Sequence, residues 1–228
     1  MPRKQKDFSS PSGELENIAV KVCKNGKTRS EIAKSSNKKG KAGERKITSV
    51  LSRVSGLTFI RIPNSGAQLG KSNRSRISEL SEVHIAALLG DIFAPDELAL
   101  RFIIESKNYK HMAWPKLKKG QCPSQLEGWI GEINYDTETY LMSKYTRLPI
   151  PFLGFNITGS NGRGEGLWIC YNKQYYEKLN ITNLNPEFNI RLKNELKLLE
   201  EIGFGEEYYI EDLERFCINN KEKLFQLR

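Results

Sequence analysis

The chain has 228 residues and carries 36 Lys and Arg against 27 Asp and Glu, a formal net charge of +9. That length suffices for one α/β domain with a full core and terminal extensions, and two large domains would be crowded in it. The basic balance points to a polyanionic partner, nucleic acid first, while two histidines and four cysteines without C-x-x-C or C-x-x-H spacing exclude a zinc finger or a His-rich metal site.

The N-terminal segment, residues 1–41, holds 11 basic and 4 acidic side chains, the densest positive charge in the chain. It reads as a polar arm that either tracks phosphates or simply solubilises the protein. Within it, Leu15, Ile18, Ala19 and Val22 have helical spacing. Thr28 and Glu31 then form a capping box that opens a second short helix over 32–35, so that the two resemble a helix-turn-helix fragment. After Gly40 and Gly43, Ile47, Val50, Leu51 and Val54 define the buried stripe of a further helix. Glu44 projects from that apolar face. Its carboxylate either sits in the first helical turn, where acids are favoured, or is held there for a purpose.

Residues 57–62 read as a strand closed by Pro63, Asn64, Ser65 and Gly66. Lys71, Arg74 and Arg76 follow in a loop without hydrophobes, an ordinary exposed loop or a flap against phosphates. A helical stretch over 78–89 leads to Gly90, Asp91 and a short strand. In the strand 100–107, alternation puts Phe102, Ile104 and Ser106 on one face and Ile103, Glu105 and Lys107 on the other. A hairpin brings Asp91 to the end of this strand, where the helix bearing Glu44 covers the same end. Converging carboxylates repel and raise one another's pKa unless a divalent cation offsets them, and oxygen-only donors favour Mg²⁺ or Mn²⁺. The plain alternative is an edge-strand ion pair between Glu105 and Lys107.

Farther on, Ser124 and Glu127 form a capping box, with Leu126, Trp129, Ile130 and Ile133 as the stripe of the helix behind it. Residues 151–157 and 167–171 read as strands across a Gly-rich turn, and the aromatic residues there read as core. Over 190–217 the apolar positions are consistent with two amphipathic helices that pack on the core or offer a partner surface. Cys23, Cys122, Cys170 and Cys217 read as reduced thiols, which with no evident signal peptide places the chain in a cytoplasm, and no apolar run is long enough for a membrane span.

Taken together, the helix with Glu44, the segment from Arg61 to Gly66, the Gly-Asp-Ile-Phe-Ala-Pro run at 90–95 and Ile104-Glu-Ser-Lys107 resemble the PD-(D/E)XK nuclease superfamily, and within it the Holliday-junction resolvases of archaea and phages. The resemblance covers about residues 40–172. It implies an α/β, restriction-endonuclease-like core in which a small mixed sheet is flanked by helices. The corresponding layout is a basic arm (1–41), a nuclease core (42–172) and a helical C-terminal extension (173–228). Position by position, it implies that Asp91, Glu105 and the helix-borne acid Glu44 bind Mg²⁺, which Mn²⁺ replaces, and that Lys107 is the catalytic lysine. Ser65 matches a serine beside the active site, with Lys71, Arg74 and Arg76 as further DNA contacts. Gly90 stands where the motif has Pro. The resemblance further implies a homodimer that cuts branched DNA. A restriction-like or repair nuclease on duplex or flap DNA shares the same set, and a non-catalytic DNA-binding protein is the reading from another class.

Overall fold

A computed structural model describes residues 28–63, 85, 88–95, 98, 101–142, 148–159, 165–193 and 196–226. The chain separates into two compact units, Met1–Ser36 and Asn37–Arg228. Of the first, the described residues are Thr28 and the opening turns of helix α1 (Arg29–Ser55). The capping box there is formed: the Glu31 N–H donates to Thr28 Oγ1 at 3.2 Å, and the Thr28 N–H donates to Glu31 Oε2 at 2.8 Å.

The expected short helix over 32–35 and the helix bearing Glu44 are thus one continuous α1, running through Gly40 and Gly43. The glycines lower helix propensity but remove no backbone hydrogen bond, and packing of the far half sustains the helix. Ile47, Val50, Leu51 and Val54 are buried, as their spacing requires. Gly43 has a positive reason to be small, because a Cβ there would come within 2.5 Å of Asn108 Cβ. The helix lies hard on the sheet at that point.

Among the described residues, seven strands form one mixed sheet in the order β1-β2-β3-β4-β5-β7-β6. They are β1 (Ile60–Arg61), β2 (Ile92–Phe93), β3 (Phe102–Tyr109), β4 (Ile150–Ile157), β5 (Gly166–Asn172), β6 (Phe188–Arg191) and β7 (Glu207–Asp212). β3 and β4 run parallel, with Phe102 opposite Ile150 and Tyr109 opposite Ile157, and every other neighbouring pair is antiparallel. Within this pair β4 is buried along its whole length, which is why it is apolar at nearly every position.

Alternation sorts the strands' side chains into two cores. Phe102, Ile104, Ile150, Phe152, Ile169 and Tyr171 face α1 and, beside it, α4 (Lys173–Lys178), α6 (Leu213–Asn219) and α7 (Lys221–Phe225). Ile103, Leu153, Phe155, Ile157, Trp168 and Cys170 face α2 (Trp114–Leu117) and α3 (Ser124–Met142). The stripe Leu126, Trp129, Ile130 and Ile133 is buried in this second core.

The C-terminal segment departs from the expectation of two amphipathic helices. Ile190 lies on β6 and Ile210 on β7, and β7 is inserted between β5 and β6, with only short helices, among them α5 (Lys197–Glu201), around them. Apolar spacing over so few residues does not separate a helix from a strand, and pairing with β5 decides the matter. Cys122, Cys170 and Cys217 are free thiols, in agreement with the cysteine spacing.

Candidate active site

The site is built where β2 and β3 part. Gly90 has φ +77°, and a Cβ on it would approach Ile104 O to 2.5 Å, so only glycine lets the turn press on β3. This accounts for glycine in place of the motif's proline. The next residue is fixed twice: the Asp91 N–H donates to Ile104 O at 2.7 Å, and Asp91 Oδ2 accepts from the Ser106 N–H at 3.0 Å. The Asp91 carboxylate is thereby held against the β3 backbone one residue from Glu105.

Glu105 and Lys107 share the face of β3 that carries Ile103, as alternation requires. Lys107 Nζ donates to Glu105 Oε1 at 2.6 Å, with side chains only 18% and 13% exposed, and also to Glu132 Oε2 of α3. β3 lies inside the sheet between β2 and β4, so this is not the solvated edge-strand pair of the plain reading. Burial, then repulsion from Asp91, pushes the Glu105 carboxyl up to about 8 despite the lysine beside it. For Lys107, burial favours the neutral form, but the charge and hydrogen bonds of Glu105 and Glu132 outweigh it and hold the ammonium above its usual range.

α3 supplies two acids that the sequence reading did not single out. Glu132 holds Lys107 from the rim, and Asp136 is set beside the Gly90 turn, whose backbone N–H favours its charged form. Burial and the nearby Asp91 push the Asp136 carboxyl up to about 6. A signal was present. Asp136 is three residues beyond Ile133 and seven beyond Trp129, on the buried stripe of its helix, the same anomaly that marks Glu44.

Glu44 approaches from the opposite side of the sheet, on α1. It is well inside that helix and not in its first turn, so the first-turn explanation for an acid on the apolar face does not hold. Glu44 Oε2 accepts from Arg61 Nη1 at 3.2 Å, and burial followed by the charge of Asp91 raises its pKa. Asp91 is therefore the common neighbour: its charge acts on Glu44 from one face and on Glu105 and Asp136 from the other. Ser65, Lys71, Arg74 and Arg76, like the expected helices over 15–23 and most of 78–89, lie outside the described residues.

Among the described residues no three His, Cys, Asp or Glu side chains form a ready-made metal cage. The donor set still fits one kind of ion. Two carboxylates, Asp91 and Glu105, offer oxygen alone, and Mg²⁺ is commonly held by one or two carboxylates while keeping waters and substrate phosphate as its remaining ligands.

The family model described as "phage putative PDDEXK endonuclease" matches residues 35–197, more than two thirds of the chain. The chain belongs to this family. The matched span of this PD-(D/E)XK protein contains Glu44, Asp91, Glu105 and Lys107 together with Glu132 and Asp136, and the mixed sheet with helices on both faces is the restriction-endonuclease-like architecture expected of it. No curated protein and no solved structure matches the chain. Family membership points to nuclease activity, and PD-(D/E)XK nucleases generally use divalent metals and act on nucleic acid. Among the described residues no helix is long and apolar enough to cross a membrane.

Proposed function

We propose that the protein is a Mg²⁺-dependent, structure-specific DNA endonuclease that resolves four-way junctions as a homodimer. The observation that carries the metal-dependent hydrolytic reading is the Asp91 carboxylate fixed on the Ser106 N–H beside the buried Glu105–Lys107 pair. Binding DNA needs no acids in a cationic surface, since they repel phosphate, whereas hydrolysis of a phosphodiester does.

Asp91 and Glu105 would hold the ion, which would supply acidification of the attacking water and offset charge on the scissile phosphate. Lys107, kept protonated by two acids, donates and does not accept, so it orients the water or a phosphate oxygen. Water attacks phosphorus, the bond to the 3′ oxygen breaks, that oxygen leaves with a proton, and the product carries a 5′-phosphate. Glu132 and Asp136 position the set, the first through Lys107 and the second through the Gly90 turn. Symmetric incision of two strands requires two copies of this site, hence the dimer. The preference for branched DNA rests on the likeness to resolvases in the motifs quoted above.

The test is cleavage of a labelled four-way junction, with linear duplex and flap controls, by the wild type and Glu105→Gln in Mg²⁺ and in EDTA. Paired symmetric nicks confined to the junction, absent in the variant and in EDTA, are expected. Equal cutting of linear duplex replaces the resolvase with a general nuclease, and tight binding without cutting under Mg²⁺ or Mn²⁺ overturns the enzymatic reading.

A further inference from the structure

The segment 37–46 of α1 contains five basic residues and one acid, Glu44. Helical spacing divides these cations into two rows. Lys38, Lys41 and Arg45 recur at i, i+3 and i+7 along one face, while Lys39 and Lys46 lie toward the other flank, where Lys46 Nζ reaches Asn156 Oδ1 at 3.5 Å and Lys39 O accepts from Asn108 Nδ2 at 2.5 Å.

The first row is exposed along its length, and among the described residues none of its three cations is in a salt bridge. It borders the site. Lys41 lies one turn before Glu44, and its charge acts on that carboxylate, which Arg61 holds from β1 and which in turn feels Asp91. Because Gly43 sets the helix in close contact with Asn108 of β3, the row has a fixed position relative to the strand that carries Glu105 and Lys107. At 1.5 Å per residue its ends are about 10 Å apart, the axial length of three steps of about 3.4 Å along one strand, which join four successive phosphates.

From this we infer that Lys38, Lys41 and Arg45 form a phosphate rail that binds backbone phosphates within a run of four on one DNA strand and leads that strand to the site between Asp91 and Glu105. The inference rests on the nuclease reading and names the surface that holds its substrate. The duplex backbone is the partner because the row offers spaced point charges with, among the described residues, no aromatic platform and no carboxylate in a salt bridge with them, a surface that reads charge spacing and not base sequence.

The test compares Lys38→Ala/Lys41→Ala/Arg45→Ala with a control that loses three exposed lysines elsewhere, Lys193→Ala/Lys197→Ala/Lys221→Ala, so that both lose equal net charge. Binding of a junction and of a linear duplex is measured in EDTA across a salt series, and Mn²⁺ binding is measured by calorimetry to check that each variant keeps the site. The rail variant is expected to lower the slope of log K against log salt by about 2–3, near 0.9 per lost phosphate contact, with Mn²⁺ binding unchanged. The control is expected to change it by less than about 1. An unchanged slope in the rail variant, or an equal loss in the control, overturns the inference, as does a wild type that binds no DNA. A wild type that binds through the rail yet cuts nothing under Mg²⁺ or Mn²⁺ sinks the nuclease reading and leaves the rail standing.

Discussion

Glu105 stands in conflict with its surroundings, since it is buried beside Asp91 and relieved only in part by Lys107. Its folded pKa, about 8, lies above the ordinary 4.5. A raised carboxyl contributes stability that is complete below the unfolded value and is lost as pH climbs through the folded one. Metal-free protein should therefore lose stability between about pH 4.5 and 8. Glu105→Gln removes that loss, so in EDTA its Tm is expected to exceed the wild type by at least about 3 °C at pH 8 and to match it at pH 4. Calorimetric melting at both pH values checks this, and equal melting at pH 8 contradicts the buried, proton-holding state. The same proton must leave before a cation binds. Mn²⁺ affinity should rise about tenfold per pH unit up to about 8 and then level off, as isothermal titration would show. An affinity flat from pH 6 to 8 removes Glu105 from the ligand set.

At the scale of elements, two close approaches set the geometry: α1 on β3 at Gly43, and the Gly90 turn on β3 at Ile104. Gly43→Ala must push α1 off Asn108, at a cost of about 1–3 kcal/mol, and displaces Glu44 with it. Denaturant unfolding measures the cost, and a variant of wild-type stability refutes the tight contact. Asp136 brings α3 beside the same turn, where the Gly90 N–H favours its charged form. Asp136→Ala leaves that donor without its partner, with an expected loss of about 1–3 kcal/mol together with weakened Mn²⁺ binding. Asp136→Asn keeps an acceptor and should lose less of both. Identical behaviour of the two variants would mean that the carboxylate does not hold the turn.

Over the whole molecule, the sheet is completed from the C-terminal end of the chain. β7 lies between β5 and β6, and α6 and α7 fill the first core with Leu213, Phe216, Cys217, Leu224 and Phe225. A chain ending at residue 205 lacks an interior strand and is expected to show no cooperative unfolding transition by circular dichroism, although the family match ends at residue 197. Retention of a cooperative transition would make the segment dispensable. Strands β3 to β5 and the stripes of α1 and α3 were legible because period 2 and period 3.6 are local consequences of which faces are buried. The uninterrupted course of α1 was not, because its two glycines read as a break until Asn108 shows that one of them is a contact.

The sequence by itself determined the candidate set of Glu44, Asp91, Glu105 and Lys107. Acids on apolar faces and an alternating strand are visible in one dimension, and burial of a charge without a purpose is costly. Only the tertiary structure decided that Asp91 is clamped to the Ser106 N–H, that Lys107 is shared between Glu105 and Glu132, and that Asp136 lies beside the Gly90 turn. It alone decided, too, that Ile190 and Ile210 lie on strands. Those outcomes depend on partners far apart along the chain, which meet only when strand pairing and helix packing are complete.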